Sequence, residues 1–178
     1  MPGVNWKNEL IDQLTFDWDY MFLPRMEGLT DEEYLWAPVE DVWTVHAGVN
    51  GELATVDPQR MVEPAPFTTI AWRLHHLTRV FGVRWHDHFG NGMDGVEFEI
   101  GLTAADGMRI VQESYERWRD SLLAMPSERL SQPCGPIEPF PEASFAALVL
   151  HISRECIHHA AECCLIRDLY RQRDTLHM

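Results

Sequence analysis

Positive charge is scarce in this chain. Its 178 residues carry 14 lysines and arginines against 28 aspartates and glutamates, a formal net charge of −14. No basic patch is available to offset that charge, so the expected partners include neither a nucleic-acid backbone nor an anionic membrane surface. Long apolar runs are missing too. No stretch approaches the ~18 uncharged apolar residues of a membrane span, and the opening MPGVNWKNEL lacks the charged-then-apolar pattern of a signal segment. Cysteine is sparse: Cys134, Cys156, Cys163 and Cys164. Three of these share one helical segment, whose rigidity keeps Cys163 from pairing with Cys164 and puts two turns between Cys156 and Cys163. Without a CxxC motif or a disulfide framework, the expectation is a reducing compartment, the cytoplasm. There is no internal repeat, low-complexity tract or interdomain type of linker. The chain reads as one domain over residues 1–178, large enough for a real core.

What the sequence does have is helical periodicity. The first helix is expected from Trp6 to Met26, with Leu10, Leu14, Trp18, Met21 and Phe22 on one side. Thr-Asp-Glu-Glu from Thr30 reads as a turn with an N-cap and a capping-box glutamate. A long connection, Ala37 to Pro66, follows; a loop of that length in a small domain is usually functional or covers something. The second helix is expected from Phe67 to Phe89, on a stripe of Ile70, Leu74, Leu77, Phe81 and Trp85, ended by the glycine-rich stretch Gly90–Gly101. The third opens at Thr103, with Asp106 as capping partner, and carries Met108, Val111, Tyr115, Trp118 and Leu122. After a proline-containing connection, Pro126 to Pro141, the fourth runs from Glu142 to Arg171. Four amphipathic helices around one core predict an all-α fold, a four-helix bundle with long, unequal connections.

The chain holds nine histidines. His75, His76, His86 and His88 fall on the second helix and His151, His158 and His159 on the fourth; His46 lies in the long connection and His177 in the tail. On the fourth helix the apolar stripe runs Phe145, Leu148, Val149, Ile152, Cys156, Cys163, Ile166, Tyr170, and His159 fills its gap. Glu155 borders the stripe one turn earlier, so the two side chains converge. On the second helix His76 shares a line with Trp72, Val80 and Val83, beside the stripe, whereas His75 lies with Ala71, Thr78, Arg79 and Gly82. Periodicity thus picks His76, Glu155 and His159. Two imidazoles and a carboxylate suit Zn²⁺, Ni²⁺ or Fe²⁺ with positions left open. The competing reading is a hydrogen-bonded core histidine without a metal. His151, His158 and Glu162 read as a solvated face, and His86 and His88 as a favourable charge at a helix C-terminus. Arg73, Arg79 and Arg84 read as ion-pair partners of the many acids, Trp36, Trp43 and Trp72 as packing, and Cys156 as packing.

These residues resemble the DinB/YfiT-like superfamily of metalloenzymes over nearly the whole chain. GLTDEEYLWAP (28–38) followed by VWTV (42–45) is similar to the family's stretch after helix one. TIAWRLHHLTRV (69–80) resembles its Trp-x-x-x-His helix and places His76 at the ligand position. LHISRECIHHAAECCLIRDLY (150–170) resembles the closing helix, where two ligands stand four residues apart. The usual pair is two histidines; the subgroup similar to mycothiol-dependent maleylpyruvate isomerase has Glu and His, matched here by Glu155 and His159. A shift of one residue would align Arg154 and His158 instead, but arginine stays protonated and cannot ligate.

The resemblance implies a four-helix bundle with a divalent metal, zinc or nickel, near one end, and a homodimer. It implies an enzyme acting on a small molecule with a low-molecular-weight thiol, mycothiol- or bacillithiol-like, which the metal holds as thiolate. Two alternatives remain: a metal-dependent hydrolase with water as nucleophile, and a non-catalytic small-molecule or metal-binding stress protein.

Overall fold

The computed structural model describes residues 3–50, 52–59 and 62–175; His177 lies outside them. The chain is mostly helical. The first helix, α1 (residues 6–26), is regular over Trp6–Phe16, widens into a π-helical stretch at Asp17–Phe22 and closes with Leu23–Met26. In a regular helix the ring of Pro24 would press on the carbonyl of Tyr20, and a widened turn relieves that contact. The stretch buries Trp18, which stacks on Tyr115 at 4.4 Å between ring centroids and donates its indole N–H to Gln112 at 2.7 Å. Lys7, at the start of α1, donates to the Leu123 and Met125 carbonyls, where a cation offsets the exposed C-terminus of a neighbouring helix.

The expected capping box at Thr30 is present, and it opens a short helix, α2 (Asp31–Leu35), rather than a turn alone. The Tyr34 hydroxyl donates to the Gly101 carbonyl at 2.8 Å. Gly107 permits that approach, since a Cβ there would stand 2.3 Å from the same hydroxyl. The long connection holds four two-residue strands: β1 (Val42–Trp43), β2 (Val45–His46), β3 (Thr55–Val56) and β4 (Phe67–Thr68). β1 pairs in parallel with β4 and β2 antiparallel with β3.

Three long helices follow: α3 (Ile70–His88), α4 (Ala104–Ala124) and α5 (Phe145–Arg171). α3 begins three residues later than the apolar pattern suggested, because Phe67 and Thr68 pair with β1 and Thr69 caps the helix by accepting from the Trp72 amide. α5 likewise begins at Phe145, capped by Ser144. Thr103 caps α4 through the Asp106 amide, and Asp31 of α2 accepts from the Ala104 amide at 2.7 Å. α3 packs against α4 and α5, and α1 against α4 and α5, around one apolar core that includes Leu14, Trp18, Leu74, Phe81, Tyr115, Trp118, Ile152 and Cys163.

A buried ion pair ties the ends of this arrangement together. Arg167 of α5 donates from Nε to Glu33 Oε1 at 2.9 Å and from Nη2 to Oε2 at 3.2 Å, and it also reaches the carbonyls of Arg25 and Glu27. Burial opposes the Glu33 charge, but Arg167 and the Thr30 amide hold its carboxyl below the usual range. One guanidinium thereby meets the end of α1, the start of α2 and the body of α5. Removing one partner of such a pair strands the other in low dielectric. Arg167→Ala should cost about 3–5 kcal/mol of stability, read from urea denaturation.

Candidate metal centre

The site is built from two helices. α3 supplies His76, and α5 supplies Glu155 and His159. His76 Nε2 lies 3.8 Å and His159 Nε2 3.4 Å from the same oxygen, Glu155 Oε2. The ligand atoms of the three residues all fall within 4.8 Å of one another. Bonds of about 2.0–2.2 Å to one ion put neighbouring ligand atoms roughly 3–3.6 Å apart, so the three atoms stand at near-coordinating separation. His159 is 7% exposed, in the gap of the α5 stripe, while His76 and Glu155 are half-buried.

The second nitrogen of His159 decides which face of the ring is free. Its Nδ1 lies 2.7 Å from Glu162 Oε2 and 2.9 Å from Arg73 Nη1. A guanidinium only donates and a carboxylate only accepts, so the two contacts cannot both be hydrogen bonds to one imidazole nitrogen. Arg73 already has Glu162 Oε2 at 2.8 Å, and the shorter contact of His159 is to that carboxylate. The proton therefore sits on Nδ1 and is donated to Glu162, which leaves the Nε2 lone pair facing His76 and Glu155. This is the carboxylate–histidine arrangement that orients metal-bound imidazoles. Burial works to raise the Glu162 pKa, yet the His159 hydrogen bond and the Arg73 charge bring it below the ordinary range.

His76 is held by aromatic contact. Its ring lies parallel to Trp72, with centroids 5.2 Å apart, and meets His159 edge-on at 4.5 Å. Trp72 is fixed by donating its indole N–H to the Asp57 carbonyl at 2.8 Å and by contact with Trp43. The short strands thus have a use. They bring Asp57 and Trp43 over the start of α3, and Asp57 itself accepts from the Thr44 amide and contacts His46 Nε2 at 2.8 Å. Burial and the neighbouring His159 push the His76 pKa down to about 4, so its ring is neutral at pH 7 with a lone pair to offer. A cavity of about 370 Å³ opens beside it, lined by Val56, Asp57, Trp72, His75, His76 and Arg79.

The structure brings His76, Glu155 and His159 together as the sequence suggested. It places other residues differently. Glu162 is no member of a solvated face; it turns inward to His159 and Arg73. The spacing held a signal for this, since a residue three positions after His159 can reach the same ring. His158 does stay exposed, 3.4 Å from the outer oxygen of Glu162. His88 is buried against Glu138 at 2.9 Å, a contact from the distant 134–143 segment that replaces the expected dipole role. Arg73 and Arg84 pair with Glu162 and Glu138, whereas Arg79 lies over the Phe98 ring. Trp36 packs on Tyr170, away from the site. Cys156 is packed in the core, where burial raises its thiol pKa well above the usual value.

A mostly helical chain with two histidines and a carboxylate converging between two helices defines a class of candidate metalloproteins. The sequence matches the DinB superfamily over residues 13–163. The chain belongs to that superfamily. No curated protein and no solved structure matches it significantly. Among the described residues, no helix is long and apolar enough to cross a membrane.

Two outcomes follow from this geometry. Glu162→Ala should weaken Zn²⁺ affinity by about 10–100-fold, measured by competition with a chromogenic chelator, because it removes the acceptor that orients His159. The second concerns pH. Burial places the His75 and His76 pKa values at about 4 in the folded chain, against 6.5 for an ordinary histidine. Between those values the unfolded chain binds more protons than the folded one. Stability present above pH 6.5 is therefore lost as the pH falls toward 4. Denaturation of chelator-treated protein should show a loss of about 2 kcal/mol for each of the two histidines, about 4 kcal/mol together, between roughly pH 7 and pH 5.

Proposed function

We propose that this protein is a metal-dependent enzyme with the four-helix-bundle architecture of the DinB type. In this reading His76, Glu155 and His159 hold a divalent ion, zinc or nickel, and the reaction is a thiol-dependent S-transfer or isomerisation of a small electrophile. The observation that carries it is the convergence of three ligand atoms, with His159 Nδ1 occupied by Glu162 so that Nε2 faces the other two. When bound, a divalent ion at such a site holds a coordinating thiol deprotonated at neutral pH.

The chain's own residues fit that chemistry. Three protein ligands leave positions open, the pattern of catalytic rather than structural sites. Trp72 and His75 wall the cavity next to His76. Arg79 lines the same cavity and pairs with no carboxylate among the described residues, so it is available to an anionic group of a thiol cofactor. Glu162 is engaged by both Arg73 and His159, which weighs against it as the general base that a hydrolase would need. Family likeness also supports a homodimer.

Metal analysis tests the reading directly. Purified protein should carry about one equivalent of zinc or nickel, and the Glu155→Ala/His159→Ala variant should carry none. S-transfer to an electrophile panel should require an added low-molecular-weight thiol. Turnover without thiol would replace this reading with the hydrolase, and stoichiometric metal with no turnover would replace it with a binding protein. Failure to take up Zn²⁺ or Ni²⁺ would overturn the site itself.

A further inference from the structure

We infer that a second cavity, on the other flank of Glu155, is a binding subsite for a small organic anion with an apolar body, such as an aryl- or alkyl-carboxylate. The cavity measures about 420 Å³ and lies where the C-terminal half of α3, the first turns of α5 and the 134–143 segment meet. Arg84, His151 and Arg154 supply its polar wall, and Leu148, Pro139 and Phe140 its apolar one. That volume is the size of a small-molecule site.

Charge selects the ligand. In a chain of net charge −14, this cavity carries two guanidiniums and one carboxylate. The carboxylate, Glu138, is turned into the protein. Its side chain is 6% exposed, with Oε1 2.9 Å from His88 Nε2 and 3.0 Å from Arg84 Nε. Arg84 offsets it, and Arg154 remains as the surplus cation. Arg154 donates from Nη2 to His151 Nδ1 at 3.0 Å and meets no carboxylate among the described residues. Because a guanidinium only donates, His151 Nδ1 is the acceptor and its ring proton sits on Nε2. Fork-shaped donors of this kind suit a carboxylate.

The apolar wall narrows the choice. Phe140 is 78% exposed at the rim, and Leu148 forms the buried floor. An inorganic anion would leave that surface wet, whereas a carboxylate with an aromatic or alkyl body covers it.

The cavity also adjoins the metal centre. His151 Nδ1 lies 3.7 Å from Glu155 Oε1, and the other oxygen of Glu155 faces His76 and His159. A carboxylate held by Arg154 where its guanidinium meets His151 therefore sits within about one helical turn of Glu155 along α5. As a binding cavity the site stands without any metal; as the electrophile's subsite it rests on the function proposed above.

The test separates those two levels. Hydrocinnamate and its uncharged amide are titrated by calorimetry into chelator-treated protein, and Arg154→Gln and Phe140→Ala variants are compared. Both residues are on the surface, so the variants should fold. Hydrocinnamate should bind at least about tenfold more tightly than the amide, and Arg154→Gln should remove that difference. Phe140→Ala should weaken both probes by about threefold to tenfold. No binding of hydrocinnamate at millimolar concentration, or binding that Arg154→Gln leaves unchanged, would overturn the inference. The metal level is read on Co²⁺-loaded protein, where paramagnetic broadening of the hydrocinnamate proton signals is expected. Binding without broadening in protein that holds Co²⁺ would overturn the placement beside the metal. If the chain takes up no Co²⁺, the metal reading fails, while the titration on metal-free protein still decides the anion site.

Discussion

An imidazole sealed between two helices has two nitrogens to satisfy, and at His159 the surrounding chain answers both. Glu162 takes the proton on Nδ1; Glu155 and His76 stand before Nε2. The rest of the site follows from that demand. Glu162 is itself half-buried and needs a cation, which Arg73 provides. Arg73 needs a rigid base, and it stands in the first turn of α3 above the Thr69 cap. Trp72 beside it holds His76 parallel, and the short strands hold Trp72 through Asp57. A chain of local requirements thus connects the long connection, the start of α3 and the middle of α5.

The scarcity of cations sharpens their placement. With twice as many acids as bases, most carboxylates can only face water, and exposed ion pairs contribute little to stability. Several arginines stand instead where a carboxylate is partly or wholly desolvated: Arg167 at Glu33, Arg84 at Glu138 and Arg73 at Glu162. Arg154 departs from this pattern, and it lines a cavity. The same reasoning that makes a paired arginine structural makes an unpaired one available to a ligand.

Much of the candidate site was legible because Glu155 and His159 lie within one helix. Glu155 and His159 are four residues apart, and an α-helix converts that spacing into proximity whatever the rest of the fold does. The choice of His159 over His158 came from the same source, since only one of two consecutive residues can lie on a buried stripe. His76 was harder, because His75 also lines a cavity and is also largely shielded from water; a line of Trp72, Val80 and Val83 was the signal, and Trp72 turns out to stack on the chosen ring. Glu162 was misread because its polar neighbours His151 and His158 suggested a wet face, although its distance of three residues from His159 allowed the inward contact. The position of His88 could not be read at all, since its partner Glu138 is fifty residues away in irregular chain.

The sequence by itself determined the helices, their caps at Thr30 and Thr103, the buried stripe of α5 and the convergence of Glu155 with His159. These depend on interactions within a few residues, where backbone geometry leaves little freedom. Only the tertiary structure decided that β1 and β4 would delay the start of α3, that Glu162 would orient His159, that Arg167 would join three elements through Glu33, and that His88 would turn to Glu138. Those contacts join residues far apart in the chain. Whether they form depends on how helices cross and how connections fold back, which is set by packing the whole core at once.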